Sequence, residues 1–235
     1  MGWEGWGGMA GTDNRPIFNG IAAEYDWRSV GLSWGGLWAW HRVACTWLPI
    51  APGERVLDVG CGTGVVLRRC AGRVGGRGSF VGVDPSAAML AIAKRRSHGG
   101  SDADIQWIEG DGQELPLADS TFDWVTAQFS LRNMPEWPRA LEEFARVLKP
   151  SGHLVILDLV RPQSVFGRLG LFYLRAATAL PGLTAYRAIY TPVMAFVHGD
   201  ELVAAIEASL SARIVKRWVG GLVILVVASK AAVQA

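Results

Sequence analysis

At 235 residues, half of them hydrophobic, the chain is long enough for one large α/β domain and short for two independent ones. Charged residues make up 19% and the formal net charge is +2, with basic residues scattered, which argues against a nucleic-acid binder. The three cysteines, Cys45, Cys61 and Cys70, form no Cys-x-x-Cys pair, which argues against a disulfide framework or a zinc site and fits a reducing compartment.

The first sixteen residues are Gly-rich and are expected to be mobile. They lack a basic start followed by an apolar run, so no signal peptide is expected. From Ile17 to Leu48 an apolar, aromatic pattern predicts one or two helices. Five of the eleven tryptophans, Trp27, Trp34, Trp38, Trp40 and Trp47, fall there. They read either as core packing or as a greasy entrance or membrane-facing patch.

Alternation of strand and helix begins after the Pro49–Gly53 loop. Strands are predicted at Arg55–Val59, Ser79–Val83, Ile105–Ile108, Phe122–Ala127 and His153–Leu159. Helices fall at Thr63–Cys70, at Ser86–Arg96 with Ser86 as N-cap, and at Pro138–Leu148. Lys149–Gly152 reads as a turn. Such alternation predicts a parallel sheet covered by helices. Residues 160–198 interrupt it with an apolar segment carrying aromatics and arginines. A helix at Glu201–Ser209 follows. Ala212–Val219 and Leu222–Ser229, split by Gly220-Gly221, predict a terminal antiparallel hairpin. The expected division is a tail and helical substrate cover over 1–50, then a catalytic domain over 51–235 with a substrate-covering insertion at 160–198.

The stretch Val56-Leu57-Asp58-Val59-Gly60-Cys61-Gly62-Thr63-Gly64 is a strand feeding a glycine turn that opens a helix. Glycines there let a ligand approach the backbone. Asp84 ends the second strand about 20 residues on, where a carboxylate accepts both hydroxyls of a ribose. Dinucleotides and S-adenosylmethionine share that feature. The spacing here is G-x-G-x-G, not the G-x-G-x-x-G that cradles a pyrophosphate, and no clustered positive charge follows. Asp58 suits a ligand carrying an ammonium group. Asp111, after the third strand, lies at the same carboxyl edge and suits an adenine amino group. These residues make S-adenosylmethionine the expected cofactor, with Gly60 and Gly62 in its cradle.

The same residues resemble the class I methyltransferases, over about Ile17–Leu159. More narrowly, the chain resembles the ubiquinone/menaquinone biosynthesis C-methyltransferase family. Phe18, Ile21, Ala22, Tyr25 and Asp26 match its opening motif. Ser33-Trp34-Gly35, Trp40 and Arg42 match the next, and Phe129-Ser130-Leu131-Arg132-Asn133 matches the motif after the fourth strand. Arg146–Gly152 matches a turn common to most class I methyltransferases.

The resemblance implies a Rossmann-like fold with a mostly parallel seven-stranded sheet and a C-terminal antiparallel hairpin. It implies cofactor contacts at Tyr25, Thr63, Asp84, Met89, Asp111, Gly112 and Gln128, and help with substrate deprotonation from Arg132 and Asn133. The family usually has serine where Gln128 stands. Its asparagine shortly after Tyr-Asp is not evident, and its Tyr-rich segment before the last helix is only echoed at Tyr186–Tyr190.

For ring-carbon methylation, removing a hydroxyl proton pushes electron density to the ortho carbon. Arg132 is the candidate to stabilise the phenolate. His41, His153 and His198 are the candidate bases, with His198 preferred. No metal-ligand cluster is apparent. The expected acceptor is a small lipophilic aromatic such as a quinol. A phospholipid amine, a secondary metabolite and a binding protein that no longer methylates remain open. The longest apolar run, Leu222–Ala228, is far short of the about 20 residues that span a bilayer. The expectation is a cytoplasmic protein, with peripheral contact at the inner membrane face as the finer reading.

Overall fold

In the strand segments successive apolar side chains face opposite ways, and both sets are buried. Leu57, Val59, Val125, Leu154, Ile156 and Ile224 enter one core, and Val56, Trp124, Val155, Leu157 and Leu225 enter another. Only a sheet covered on both faces satisfies that pattern. Each fully buried Val, Leu or Ile contributes about 1.5–3 kcal/mol, so the two cores fix the register.

The computed structural model describes residues 15–33, 36–97, 105–180 and 183–231. Most of the Gly-rich N-terminal segment lies outside them. The strands are β1 (Arg55–Val59), β2 (Ser79–Asp84), β3 (Ile105–Glu109), β4 (Phe122–Gln128), β5 (Leu148–Leu159), β6 (Ser211–Trp218) and β7 (Val223–Ser229). They form one sheet in the order β3-β2-β1-β4-β5-β7-β6. β1 to β5 run parallel, and β7 runs antiparallel to both β5 and β6. This is the class I methyltransferase architecture expected from the sequence.

The helices are α1 (Arg15–Ile21), α2 (Tyr25–Leu32), α3 (Gly36–Thr46), α4 (Val65–Arg73), α5 (Ala87–Ser97), α6 (Trp137–Val147), α7 (Val165–Ala177), α8 (Arg187–Ala195) and α9 (Gly199–Glu207). α6 and α9 cover one face, through Leu141, Phe144, Leu202 and Ile206. α3 and α4 cover the other, through Ala44, Cys45, Leu67 and Cys70. Ser86 caps α5 as expected: its hydroxyl accepts from the Met89 N–H at 3.2 Å.

Three boundaries differ from expectation. The segment before β1 is three helices, not one or two. α4 starts at Val65, because Gly62 and Gly64 take positive φ and hold Thr63 in the turn. The Lys149–Gly152 turn lies inside β5, where the register with β4 shifts between Phe122 and Trp124 and Ser151 takes a φ of 63°.

The tryptophans divide. Trp40 packs on Trp218 with ring centroids 5.0 Å apart, and Trp47 packs against the core under α3 and α4. Trp27 is 63% exposed beneath the Arg28 guanidinium. Trp34 lies outside the described residues, as does the side chain of Trp38.

Candidate functional site

Strand order reverses between β1 and β4, since β1 connects onward to β2 on one side and has β4 on the other. Open α/β sheets bind ligands in the crevice at that point, beyond the carboxyl ends of the strands. Here the crevice is a cavity of about 620 Å³. Its lining includes Tyr25, Asp58, Gly60, Gly62, Thr63, Asp84, Met89, Asp111, Gly112, Gln128 and Asn133. With His41, also in the lining, twelve of the fifteen sequence candidates meet in one place.

The glycine loop explains itself sterically. Gly60, Gly62 and Gly64 have φ of 70°, 53° and 75°, a region L side chains rarely adopt. A Cβ on Gly60 would lie 2.3 Å from Ser130 Cβ, and one on Gly64 2.3 Å from the Trp107 ring. A Cβ on Gly62 would meet nothing within 4 Å. The first and third glycines thus allow close packing of the protein on itself, and the middle one leaves open space at the cavity wall.

Two acids flank the loop. Asp84 accepts from the Gly62 N–H at 2.8 Å and from the Ser86 N–H at 2.9 Å. Burial pushes its carboxyl pKa up, and those two backbone donors oppose the rise. Asp58 is buried, and neither carboxylate oxygen has a hydrogen-bond partner. Burial, then the neighbouring Cys45 and Asp84, push its carboxyl well above the ordinary range. A buried carboxylate without a partner is costly, and an arriving ammonium would supply the missing charge. Asp111 accepts from the Gln113 N–H and side-chain amide, both at 2.9 Å.

The N-terminal helices close the cavity and are latched to it. The Thr63 hydroxyl donates to the Asp26 carboxylate at 2.9 Å, and Asp26 is also ion-paired with Arg96 of α5. The Ser86 hydroxyl donates to Asn19 Oδ1 at 2.6 Å. Phe18, Tyr25, Asp26 and His41 join the lining from these helices. Among the described residues, none of the 160–198 segment is in the lining; Tyr186 packs behind the cover, in a cluster with Ile21, Phe18 and Tyr25.

Three sequence candidates lie elsewhere. Arg132 is buried beside the cavity but turned from it: its guanidinium donates to Asp158 at 2.5 Å and to the Phe129 carbonyl at 2.7 Å. The expectation that it faces a phenolate is corrected, because a carboxylate 26 residues on has taken its charge. His198 stands at the N-cap position of α9 without a side-chain capping bond, and its Nδ1 lies 2.8 Å from the Arg161 carbonyl oxygen. It is not in the lining, which corrects the preference for it as the base. His153 is stacked on Trp124 with centroids 4.6 Å apart. The histidine in the cavity is His41. Phe18, Asp26 and Ser86 are further lining residues that were not chosen from the sequence. Their signal was present in the first resemblance motif for Phe18 and Asp26.

The donor set fits S-adenosylmethionine: an orphaned carboxylate for the ammonium, a cradle open only at Gly62, and a carboxylate at the end of β2 for ribose hydroxyls. Among the described residues no group of three or more His, Cys, Asp or Glu could hold a metal ion, and no helix is long and apolar enough to cross a membrane.

Comparison with known proteins agrees with this geometry. The model of the ubiE/COQ5 methyltransferase family matches residues 10–181. A 2-phytyl-1,4-naphtoquinone methyltransferase of Thermosynechococcus vestitus is 37% identical over 227 residues, covering 93% of this chain and 100% of that one. A demethylmenaquinone methyltransferase of Symbiobacterium thermophilum is 38% identical over 159 residues, covering 67% of this chain and 63% of that one. Among solved structures, a SAM-dependent methyltransferase from Thermotoga maritima superposes with a TM-score of 0.67 at 19% identity, covering 93% of this chain and 100% of that one.

Proposed function

The chain belongs to the ubiE/COQ5 methyltransferase family and is an S-adenosylmethionine-dependent methyltransferase, and from that premise we propose that it C-methylates a reduced quinone with an apolar tail. The observation that carries the acceptor reading is the cavity wall. Beside the acids and glycines stand Phe18, Val65, Val66, Met89, Phe129 and Met134. Relatives at 37% and 38% identity are named for a phytylated naphthoquinone and for demethylmenaquinone.

The cofactor supplies an electrophilic methyl group on a sulfonium. The protein's part is to hold the two reactants in line and exclude water. In this reading Asp58 takes the ammonium, Asp84 the ribose hydroxyls, and Asp111 the adenine amino group, with Gly60, Gly62, Thr63, Gly112, Met89 and Tyr25 completing the cradle. Asn133 serves the acceptor. It is in the lining, and its buried side-chain oxygen has no hydrogen-bond partner. The test is methyl transfer to a reduced prenylated naphthoquinone and to its tailless counterpart. Each buried methylene contributes about 0.8 kcal/mol, so two already raise kcat/KM about tenfold. Equal kcat/KM for both acceptors would move a hydrophilic acceptor to first place.

We also propose peripheral contact with an anionic membrane through α7. Phe166 and Phe172 are 76% and 67% exposed, with Val165 and Leu169 also exposed alongside. Between Val160 and Gly199 the sequence holds Arg161, Arg168, Arg175 and Arg187 and no acid. Apolar rings with arginines between them suit the boundary between headgroups and acyl chains. Flotation with phosphatidylglycerol vesicles is expected at moderate salt, weakened in a Phe166→Ser, Phe172→Ser double variant. Equal flotation of both proteins would remove α7 from the contact.

A further inference from the structure

We infer that His41, fixed in one tautomer by Gln128, takes the hydroxyl proton of the acceptor, an assignment that rests on the quinol reading above. α3 carries His41 over the end of β4, where its Nδ1 lies 2.8 Å from Gln128 Oε1. An amide oxygen only accepts, so Nδ1 carries the proton and donates. The Gln128 amide nitrogen meanwhile donates to Thr126 Oγ1 at 3.3 Å, which holds the amide with its oxygen toward His41. A proton on Nδ1 leaves the lone pair on Nε2. The ring is braced edge-on against Phe129, centroids 5.5 Å apart, in the same cavity as Asn133.

The electrostatics keep the ring ready. Burial lowers its pKa, and the Arg69 charge acts in the same direction. The Gln128 hydrogen bond and the Asp26 charge oppose them without reversing the shift. His41 is therefore neutral at pH 7, the form a proton acceptor needs.

The acceptor O–H breaks and its proton passes to Nε2. The oxygen's electron pair moves into the ring, and the ortho carbon bonds to the methyl group as the sulfonium S–C bond breaks. The displaced ring proton returns to the oxygen, restoring the aromatic quinol, and the imidazolium releases its proton to solvent. Neither His198 nor Arg132 is placed for this role: neither is in the lining, His198 is held at the Arg161 carbonyl, and the Arg132 guanidinium is paired with Asp158.

Three measurements test the inference. In His41→Gln, kcat should fall at least about 100-fold, while the affinity for S-adenosylmethionine stays within about twofold. In the wild type kcat should fall on the acid side with a midpoint below 6.5, the ordinary histidine value, and Gln128→Glu should move that limb to higher pH by favouring the imidazolium. Ring-nitrogen NMR should show His41 protonated at Nδ1 and bare at Nε2. A His41→Gln enzyme with unchanged kcat and pH profile, or a proton on Nε2, would overturn the assignment. A wild type with the expected tautomer that methylates no quinol would overturn the acceptor reading instead.

Discussion

Replacing Asp84 with alanine is expected to weaken S-adenosylmethionine binding by about 1.5–3 kcal/mol, or about 10- to 150-fold in Kd. The side chain works twice. It anchors the Gly62 and Ser86 N–H groups, so it shapes both the glycine loop and the start of α5. It also presents a carboxylate at the cavity wall, where ribose hydroxyls would find a charged acceptor. Asp84→Asn keeps one acceptor oxygen and should lose less than Asp84→Ala. Calorimetry gives the affinities, and thermal unfolding shows whether the fold has been disturbed. An unchanged Kd in Asp84→Ala would place the ribose elsewhere.

Arg132→Ala is expected to cost stability before it costs chemistry. The Arg132 and Asp158 side chains are 2% and 0% exposed, so loss of the guanidinium leaves a buried carboxylate without its counter-charge. Breaking such a pair by removing one partner typically costs about 3–5 kcal/mol. For a chain of this size that corresponds to about 6–20 °C in Tm. The same guanidinium holds the carbonyl of Phe129, a bulky residue in the left-handed region with a φ of 57°. The Phe129 turn in turn braces His41. Arg132 is thus a positioning residue, and Arg132→Lys should retain part of the stability by keeping the charge. A variant with unchanged Tm and lost turnover would show that Arg132 acts on the substrate directly.

The five parallel strands were legible because burial on both faces writes them as short apolar runs bounded by turn residues. The glycine loop was legible because its spacing and its flanking acids are local. What the sequence hid depends on partners distant in the chain. Arg132 reads as a phenolate-stabilising cation until Asp158, at the end of the next strand, is seen to pair with it. His198 precedes a helix in a plausible place, yet its ring turns to the Arg161 carbonyl. His41 is one of three candidate bases with nothing local to single it out, and only the packing of α3 over β4 brings it to Gln128. The break of the early segment into three helices was hidden by its unbroken apolar pattern.

The proposed reaction transfers the cofactor's methyl group to a ring carbon of a reduced quinone. It is tested most directly by supplying S-adenosylmethionine with a deuterated methyl group and a reduced demethylated naphthoquinone carrying a prenyl tail, then locating the label in the product. The expected product carries an intact trideuteromethyl group on the ring carbon next to a hydroxyl, formed only with the cofactor present. A label on oxygen, or no label in the quinone, would contradict it.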